Sequence, residues 1–324
     1  MDSYDWKTHY SVQLVEQEKT GEFHHYSIKE ETGRGKVISC TVFPGIQAVY
    51  NYLNLPHCGR RVPKSEDIIE INYCVEGRYE CEVNKQYCFY AVPGDLSIGS
   101  VGRKEAAGSF PTGHFAGLTL FIDLTSTREK NDHILQDTGI DLELIQRMAN
   151  QELRRFYIRG REEIEDICRQ MVLAVNNQNL SLLKLKTLEI LVMISDEGLL
   201  SRSVSRVYLS QKNAQLAKDV RERISQNLSI HITLSQLSEE LHTSPTASKS
   251  AFKSVYGESI REHMKTLRLQ EAQRLIRETE KPMSEIAGLV GYSNPGHFAV
   301  AFREKFSITP SEYRKQIQYA GRIV

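Results

Sequence analysis

The amino-acid sequence predicts an α+β chain in two parts. An amino-terminal antiparallel β-barrel or sandwich with accessory helices precedes a carboxyl-terminal all-α domain that holds two helix-turn-helix units. Three observations predict this. Short alternating apolar runs broken by turns fill the stretch from about Lys36 to Asp123, the apolar spacing becomes helical from about Asp132, and one motif near the carboxyl end occurs twice, about 50 residues apart. Alternation at period two marks one face of a strand, a period near 3.6 one face of a helix, and a fixed displacement one supersecondary unit built twice.

In the β region, Ile69, Ile71, Tyr73 and Val75 share one face, and so do Tyr79, Cys81 and Val83 after the turn at Glu76-Gly77. That pattern predicts a hairpin. Further strands are expected at 87–92, 96–98 and 114–122, with Pro93-Gly94-Asp95 as a turn. Five or more strands in close succession favour an antiparallel sandwich or barrel.

Helical spacing then takes over. Ile164, Ile167, Met171 and Ala174 form one stripe, and Leu182, Leu185, Leu188 and Val192 another. The second helix turns apolar all round at 190–194, so its end is expected to be buried on its own domain or against a second subunit. Ser201, Ser203, Ser205 and Ser210 then punctuate a stretch without a helical stripe. The expected division is a first domain at 1–200, with its helical part at about 132–200, a linker at 201–212, and a last domain at 213–324.

In that last domain Ser244-Pro245 recurs as Asn294-Pro295, Ala251-Phe252-Lys253 as Ala301-Phe302-Arg303, and Tyr256 as Phe306, all displaced by 50 residues. Upstream the displacement is 49, pairing Leu237 with Ile286 and Leu241 with Val290. Each copy reads as a short amphipathic helix, a tight turn, and a second helix started by a Ser or Asn N-cap with proline at its first position. The units are expected at about 233–256 and 283–306. Ile260, Met264, Leu267, Ala272, Leu275 and Ile276 suggest one long helix between them, at about 259–278. Such a rod can hold two recognition helices about 34 Å apart, the repeat of the major groove. Ala217, Val220 and Ile224 mark a helix before the first unit, and Thr309-Pro310-Ser311-Glu312 starts a final one.

With 324 residues, 40% hydrophobic and 25% charged, the chain has the apolar content for more than one core, which excludes global disorder. Lys and Arg total 41 and Asp and Glu total 41. Residues 214–324 nevertheless carry 16 of the cations and only 12 of the anions, so the carboxyl-terminal third is the better partner for a polyanion. No apolar run approaches the roughly 18 residues of a membrane span, and the start is polar, so a cytoplasmic protein without membrane contact is expected. Six cysteines without the two-residue gap of zinc sites are read as reduced thiols.

The blocks 234–245, Ala251-Phe252-Lys253, Tyr256-Gly257, 267–276, 284–287, 290–293, His297-Phe298, Ala301-Phe302-Arg303 and 309–314 resemble, in order and spacing, the DNA-binding domain of AraC/XylS-type transcription regulators. The resemblance implies two helix-turn-helix units on promoter or operator DNA, with a separate domain for signals or dimerisation. Carried over by position, it implies DNA contacts from Thr246, Lys249, Ser250 and Lys253 in the first unit and from Asn294, His297, Val300 and Arg303 in the second. Hydroxyls and lysine can read base edges, while Lys253 and Arg303 suit phosphates. Two departures stand out. Val300 lies where many relatives carry a long cationic or amide side chain, which weakens direct readout in the second unit. Ser248 and Ala251 replace bulkier apolar residues and loosen the core of the first.

The strand-rich part followed by helices resembles the cupin-like sensor domain of many such regulators. A metal cupin needs clustered histidines and a carboxylate, and Glu70-Ile71-Asn72 lacks them, so neither metal nor cofactor is expected. Tyr73, Tyr79, Tyr87 and Phe89 can line an aromatic pocket, with Glu70 or Arg78 orienting a small polar ligand, or can simply fill the core. The leading expectation is a transcription regulator, not an enzyme, that responds to a small molecule. Its partners are double-stranded DNA, a second copy of itself, and RNA polymerase if it activates. The alternatives are a first domain that only dimerises or binds a protein, and an enzyme fused to a DNA-binding module.

Overall fold

The computed structural model describes residues 4–57, 65–82, 86–101, 109–150, 156–196, 208–230 and 232–320. It divides into two compact units, Met1–Ser210 and Gln211–Val324.

In the first unit a single 3-10 turn, Trp6–His9, precedes the strands β1 (Val15–Thr20), β2 (Phe23–Glu30), β3 (Gly33–Phe43), β4 (Ile46–Asn54), β5 (Ile68–Gly77), β6 (Tyr79–Glu82), β7 (Tyr87–Ala91), β8 (Leu96–Ser100) and β9 (Phe115–Asp123). Helices α1 (Leu124–Thr138) and α2 (Leu142–Ala149), strand β10 (Phe156–Ile158), helices α3 (Glu162–Asn176) and α4 (Leu180–Ile194), and strand β11 (Leu209–Ser210) follow. The main sheet has the order β1-β2-β3-β4-β9-β5-β8-β10, and a small one the order β11-β7-β6. Every pairing is antiparallel. Alternating side chains send Ile69, Ile71, Tyr73, Leu120 and Ile122 into a core shared with Ile145, Met171 and Leu191 of the helices. Ile68 and Phe121 point the other way, into a cluster with Trp6, Tyr26 and Leu53.

Several sequence expectations are corrected here. The sheet starts at Val15, well before Lys36; β1 is exposed along its whole length and polar after Val15, as suits an edge strand, and so carries no alternation to read. The β5–β6 hairpin does not form. Both edges of β5 are taken by β8 and β9, and β6 pairs with β7 in the other sheet. The chain leaves β5 at Gly77, where φ is +77 and a Cβ would meet the His114 carbonyl oxygen at 2.1 Å. Helix begins at Leu124, capped by Asp123, and β10 interrupts the region read as helical. In α4 the buried side is Leu183, Thr187, Ile190, Leu191 and Ile194, whereas Leu185 and Val192 of the expected stripe are 64% and 42% exposed. A helix apolar on several sides offers two registers, and only packing chooses between them. Of the expected linker, residues 201–207 lie outside the described residues; Leu209–Ser210 pairs with β7 and Gln211 opens a helix.

The second unit is all helical: α5 (Gln211–Gln226), α6 (Leu234–Glu240), α7 (Pro245–Tyr256), α8 (Ile260–Glu278), α9 (Met283–Leu289), α10 (Pro295–Phe306) and α11 (Pro310–Ala320). Local chemistry sets the boundaries. Thr233 and Gln236 form a capping box on α6, Ser259 and Glu262 another on α8, and Thr309 and Glu312 exchange the same bonds at α11. Ser244 and Asn294 cap α7 and α10, each followed by proline at the first helical position. Gly257 and Ser307 end these two helices in the left-handed region.

Candidate nucleic-acid interface

Helices α6 and α7 form one helix-turn-helix, α9 and α10 the other, with α8 between them. Phe252 and Phe302 are fully buried, one per unit, and hold the second helix of each pair against its own core. The opposite faces are open to solvent. Thr246, Lys249, Ser250 and Lys253 are all exposed on α7, as are His297, Val300 and Arg303 on α10 and Asn294 at its N-cap.

A cleft of about 1220 Å³ opens between the two repeats, with α8 as part of its wall. It gathers Lys249 and Lys253 from the first unit, Arg261 and Lys265 from α8, and Asn294 and His297 from the second unit; Arg268 borders it with its guanidinium engaged by backbone carbonyls. Glu262 is the acid in this lining, and its carboxylate is engaged by the Ser259 backbone N–H at 2.9 Å, which holds it below the usual carboxylate range. Lys265 is paired with Glu304 at 2.8 Å. The lining thus has an excess of positive charge, the electrostatic footprint of a phosphate-bearing partner. The cleft unites Lys249, Lys253, Asn294 and His297 but does not include Thr246, Ser250, Val300 or Arg303, which lie on the exposed faces outside its wall.

Two details refine individual residues. The Asn294 Oδ1 accepts from the backbone N–H groups of Gly296, at 2.7 Å, and His297, at 3.2 Å, so only its Nδ2 is left to face a ligand. Val300 is 59% exposed, an apolar side chain in the middle of a solvent-facing surface.

Sequence reading did not single out Arg268, although it lies within a recognised block. It is buried in α8 and donates to the Gly291 carbonyl at 3.2 Å and the Ile230 carbonyl at 3.3 Å. Burial pushes its guanidinium below the ordinary value.

The structure gives the residues expected to orient a ligand in the first unit different immediate surroundings. Glu70 and Tyr73 lie on opposite faces of β5. Glu70 is buried and pairs with His9 at 3.1 Å, and His9 in turn bonds the Tyr4 hydroxyl. Tyr73 sits in the sheet–helix core, where burial pushes its hydroxyl up to about 12. The ring of Tyr79 packs on Phe110 and Phe115, Arg78 is half-buried with its guanidinium pushed down by burial and by Arg159, and Tyr87 is 44% exposed against Tyr208. His9 lay in a segment without strand or helix signal and was not legible as the partner of Glu70. Among the described residues no group of three or more His, Cys, Asp or Glu side chains is arranged to hold a metal ion, and no helix is long and apolar enough to cross a membrane.

Comparison with known proteins places the recognisable part in the second unit. A family model described as a helix-turn-helix domain matches residues 237–316. The chain is 30% identical over 132 residues to the probable transcriptional regulator LumQ of Photobacterium leiognathi, covering 37% of this chain and 53% of that one. It is 33% identical over 78 residues to the transcriptional activator RhaR of Pectobacterium carotovorum, covering 24% and 28%. It is 29% identical over 96 residues to AdaA of Bacillus subtilis, a bifunctional transcriptional activator and DNA repair enzyme, covering 30% and 46%. The chain therefore spans about half or less of the length of these curated relatives. With its paired capped helices on one connecting rod, the carboxyl-terminal unit of this chain is an AraC-type helix-turn-helix domain.

Proposed function

We propose that the chain is a sequence-specific transcription regulator of the AraC type, acting on cytoplasmic DNA by placing α7 and α10 in successive major grooves. The observation that carries this reading is the shared cleft, where Lys249 and Lys253 of one repeat and Asn294 and His297 of the other open onto one cationic space. A single duplex can then engage both units. Thr246, Lys249 and Ser250 read base edges, Lys253 and Arg303 hold phosphates, His297 and the Asn294 Nδ2 donate, and Val300 meets a thymine methyl. Anisotropy titration of the full chain on duplexes selected from a random pool tests it. Affinity should fall roughly 10- to 150-fold between about 50 and 200 mM salt if two to four phosphates are held. Salt-insensitive binding, or selection of no preferred sequence, sinks the reading.

For the first unit the proposed role is dimerisation. Leu185 and Val192 stand exposed two turns apart on α4, a self-complementary apolar face of the kind that pairs helices. Sedimentation should show a dimer that Leu185→Glu with Val192→Glu converts to a monomer; an unchanged dimer refutes the face. RhaR and AdaA are named activators. An activating role here would add RNA polymerase as a partner.

The chain is not proposed to be an enzyme. Alkyl transfer needs a reactive thiolate, whereas Cys40, Cys74, Cys81, Cys88 and Cys168 are all buried. Burial pushes Cys40 up to about 11 and Cys74 and Cys168 up to about 12, which keeps them as inert thiols. Cys58 lies outside the described residues.

A further inference from the structure

Arg268 is nine-tenths buried, yet among the described residues no carboxylate pairs with it. Its two bonded acceptors are backbone carbonyls, and they belong to different units: Ile230 leads into the first helix-turn-helix, and Gly291 forms the turn of the second. The junction is tight. Gly291 has φ +83, and a Cβ there would meet the Leu228 carbonyl oxygen at 2.4 Å and the Arg268 Cζ at 2.7 Å. The Nε of Arg268 is buried without a partner, so the side chain stays where it is for the sake of these two bonds rather than for full satisfaction. A planar guanidinium bonded to two separate carbonyls fixes both their distance and their angle, which a flexible ammonium cannot do.

We propose that Arg268 is a positioning residue that sets the spacing between the two half-sites the domain accepts on DNA, by locking the entry of the first unit and the turn of the second onto α8. The proposal rests on the DNA-binding reading above. Each base pair inserted between half-sites displaces the second by about 3.4 Å and rotates it by about 35°. A domain with a locked junction must reject that change, and one with a loosened junction follows it.

The test uses the full chain and a duplex that the wild type selects from a random pool. Variants of that duplex have one base pair added or removed between the two protected segments, or one segment scrambled. The wild type should prefer the selected spacing by about tenfold or more, the range of a lost base contact. Arg268→Met, similar in length but without donors, should bring that ratio to within about threefold of unity while binding the scrambled-segment duplex within about threefold of wild type. Arg268→Lys, which keeps the charge and can satisfy one carbonyl, should fall between. Circular dichroism reports whether each variant keeps its helices; if Arg268→Met does not, Arg268→Lys decides. A folded Arg268→Lys with the full wild-type spacing ratio overturns the proposal, as does an equal loss on every duplex by either folded variant. A wild type that selects no sequence sinks the DNA-binding reading instead, and this proposal with it.

Discussion

The two helix-turn-helix units keep the same frame and fill it differently. Both second helices start with a polar cap and proline, both bury a phenylalanine at the same position, and both end in the left-handed region. Inside the first unit, however, Ser238 and Ser248 are fully buried and bonded to each other at 3.1 Å, and His263 packs against Phe252 and Tyr256. The matching positions in the second unit are Ala287 and Phe298, and Phe298 joins Phe302, Phe306, Tyr292 and Tyr313 in a continuous aromatic cluster. Outside, the contrast reverses. The first unit presents hydroxyls and lysines, while the second presents Val300, Arg303 and a capping asparagine. A duplicated frame can thus hold a buried serine pair in one interior and an aromatic cluster in the other, because caps and turns are independent of what the interior holds.

The largest test of that contrast is removal of the aromatic centre. Phe302→Ala should destabilise the second unit by about 3–5 kcal/mol, read in urea unfolding followed by circular dichroism. A loss under about 1 kcal/mol would mean that the ring cluster contributes little. In the first unit, Ser248→Ala strands the Ser238 hydroxyl and should lower stability by about 1–3 kcal/mol, whereas the double change with Ser238→Ala should recover most of it. Additive losses would show that the serine pair is not coupled.

On the outer faces, Lys249→Ala should weaken the selected duplex by about 1–3 kcal/mol and spare random DNA. Arg303→Ala should lower both alike and reduce the salt slope by about 1. The reverse result would exchange the roles proposed for Lys249 and Arg303.

The smallest effect is pH dependence in the first helix-turn-helix of the carboxyl-terminal unit. Burial holds the His263 imidazole below its ordinary value against the opposing hydrogen bond that its Nδ1 donates to the Glu258 carboxylate, and its Nε2 is buried without a partner. A depressed folded value means the unfolded chain binds the proton more readily. The stability this group supports is therefore present above about pH 6.5 and lost as pH falls from there through the folded value. Unfolding midpoints measured across that window should drop in the wild type, and the drop should shrink in His263→Phe. Equal slopes in the two proteins would remove His263 from the account.

The carboxyl-terminal unit was legible in the sequence because its signals are local. Ser244-Pro245 and Asn294-Pro295, the capping box at Thr309, and the buried stripe of Ala217, Val220 and Ile224 each act within about one or two helical turns. The candidate interface came instead from the resemblance to AraC/XylS-type regulators, carried over by position onto these helices. In the first unit the same reasoning failed at specific points. Ile69 and Tyr79 look like facing strands, but both edges of β5 pair with β8 and β9, segments farther along the chain. Leu185 and Leu183 are equally good core residues by type; the packed neighbour selected Leu183. Glu70 and Tyr73 read as one pocket, although the alternation that puts Ile69, Ile71, Tyr73 and Val75 on one face of β5 already places Glu70 on the other.

What the chain determined by itself, then, is where helices start and stop and that a motif occurs twice, since capping and periodicity draw on neighbours a few residues away. The partners of β5, the outward face of α4 and the two carbonyls held by Arg268 were decided only in three dimensions. In each case the deciding atoms come from segments far apart in sequence, and their meeting depends on how the whole unit packs.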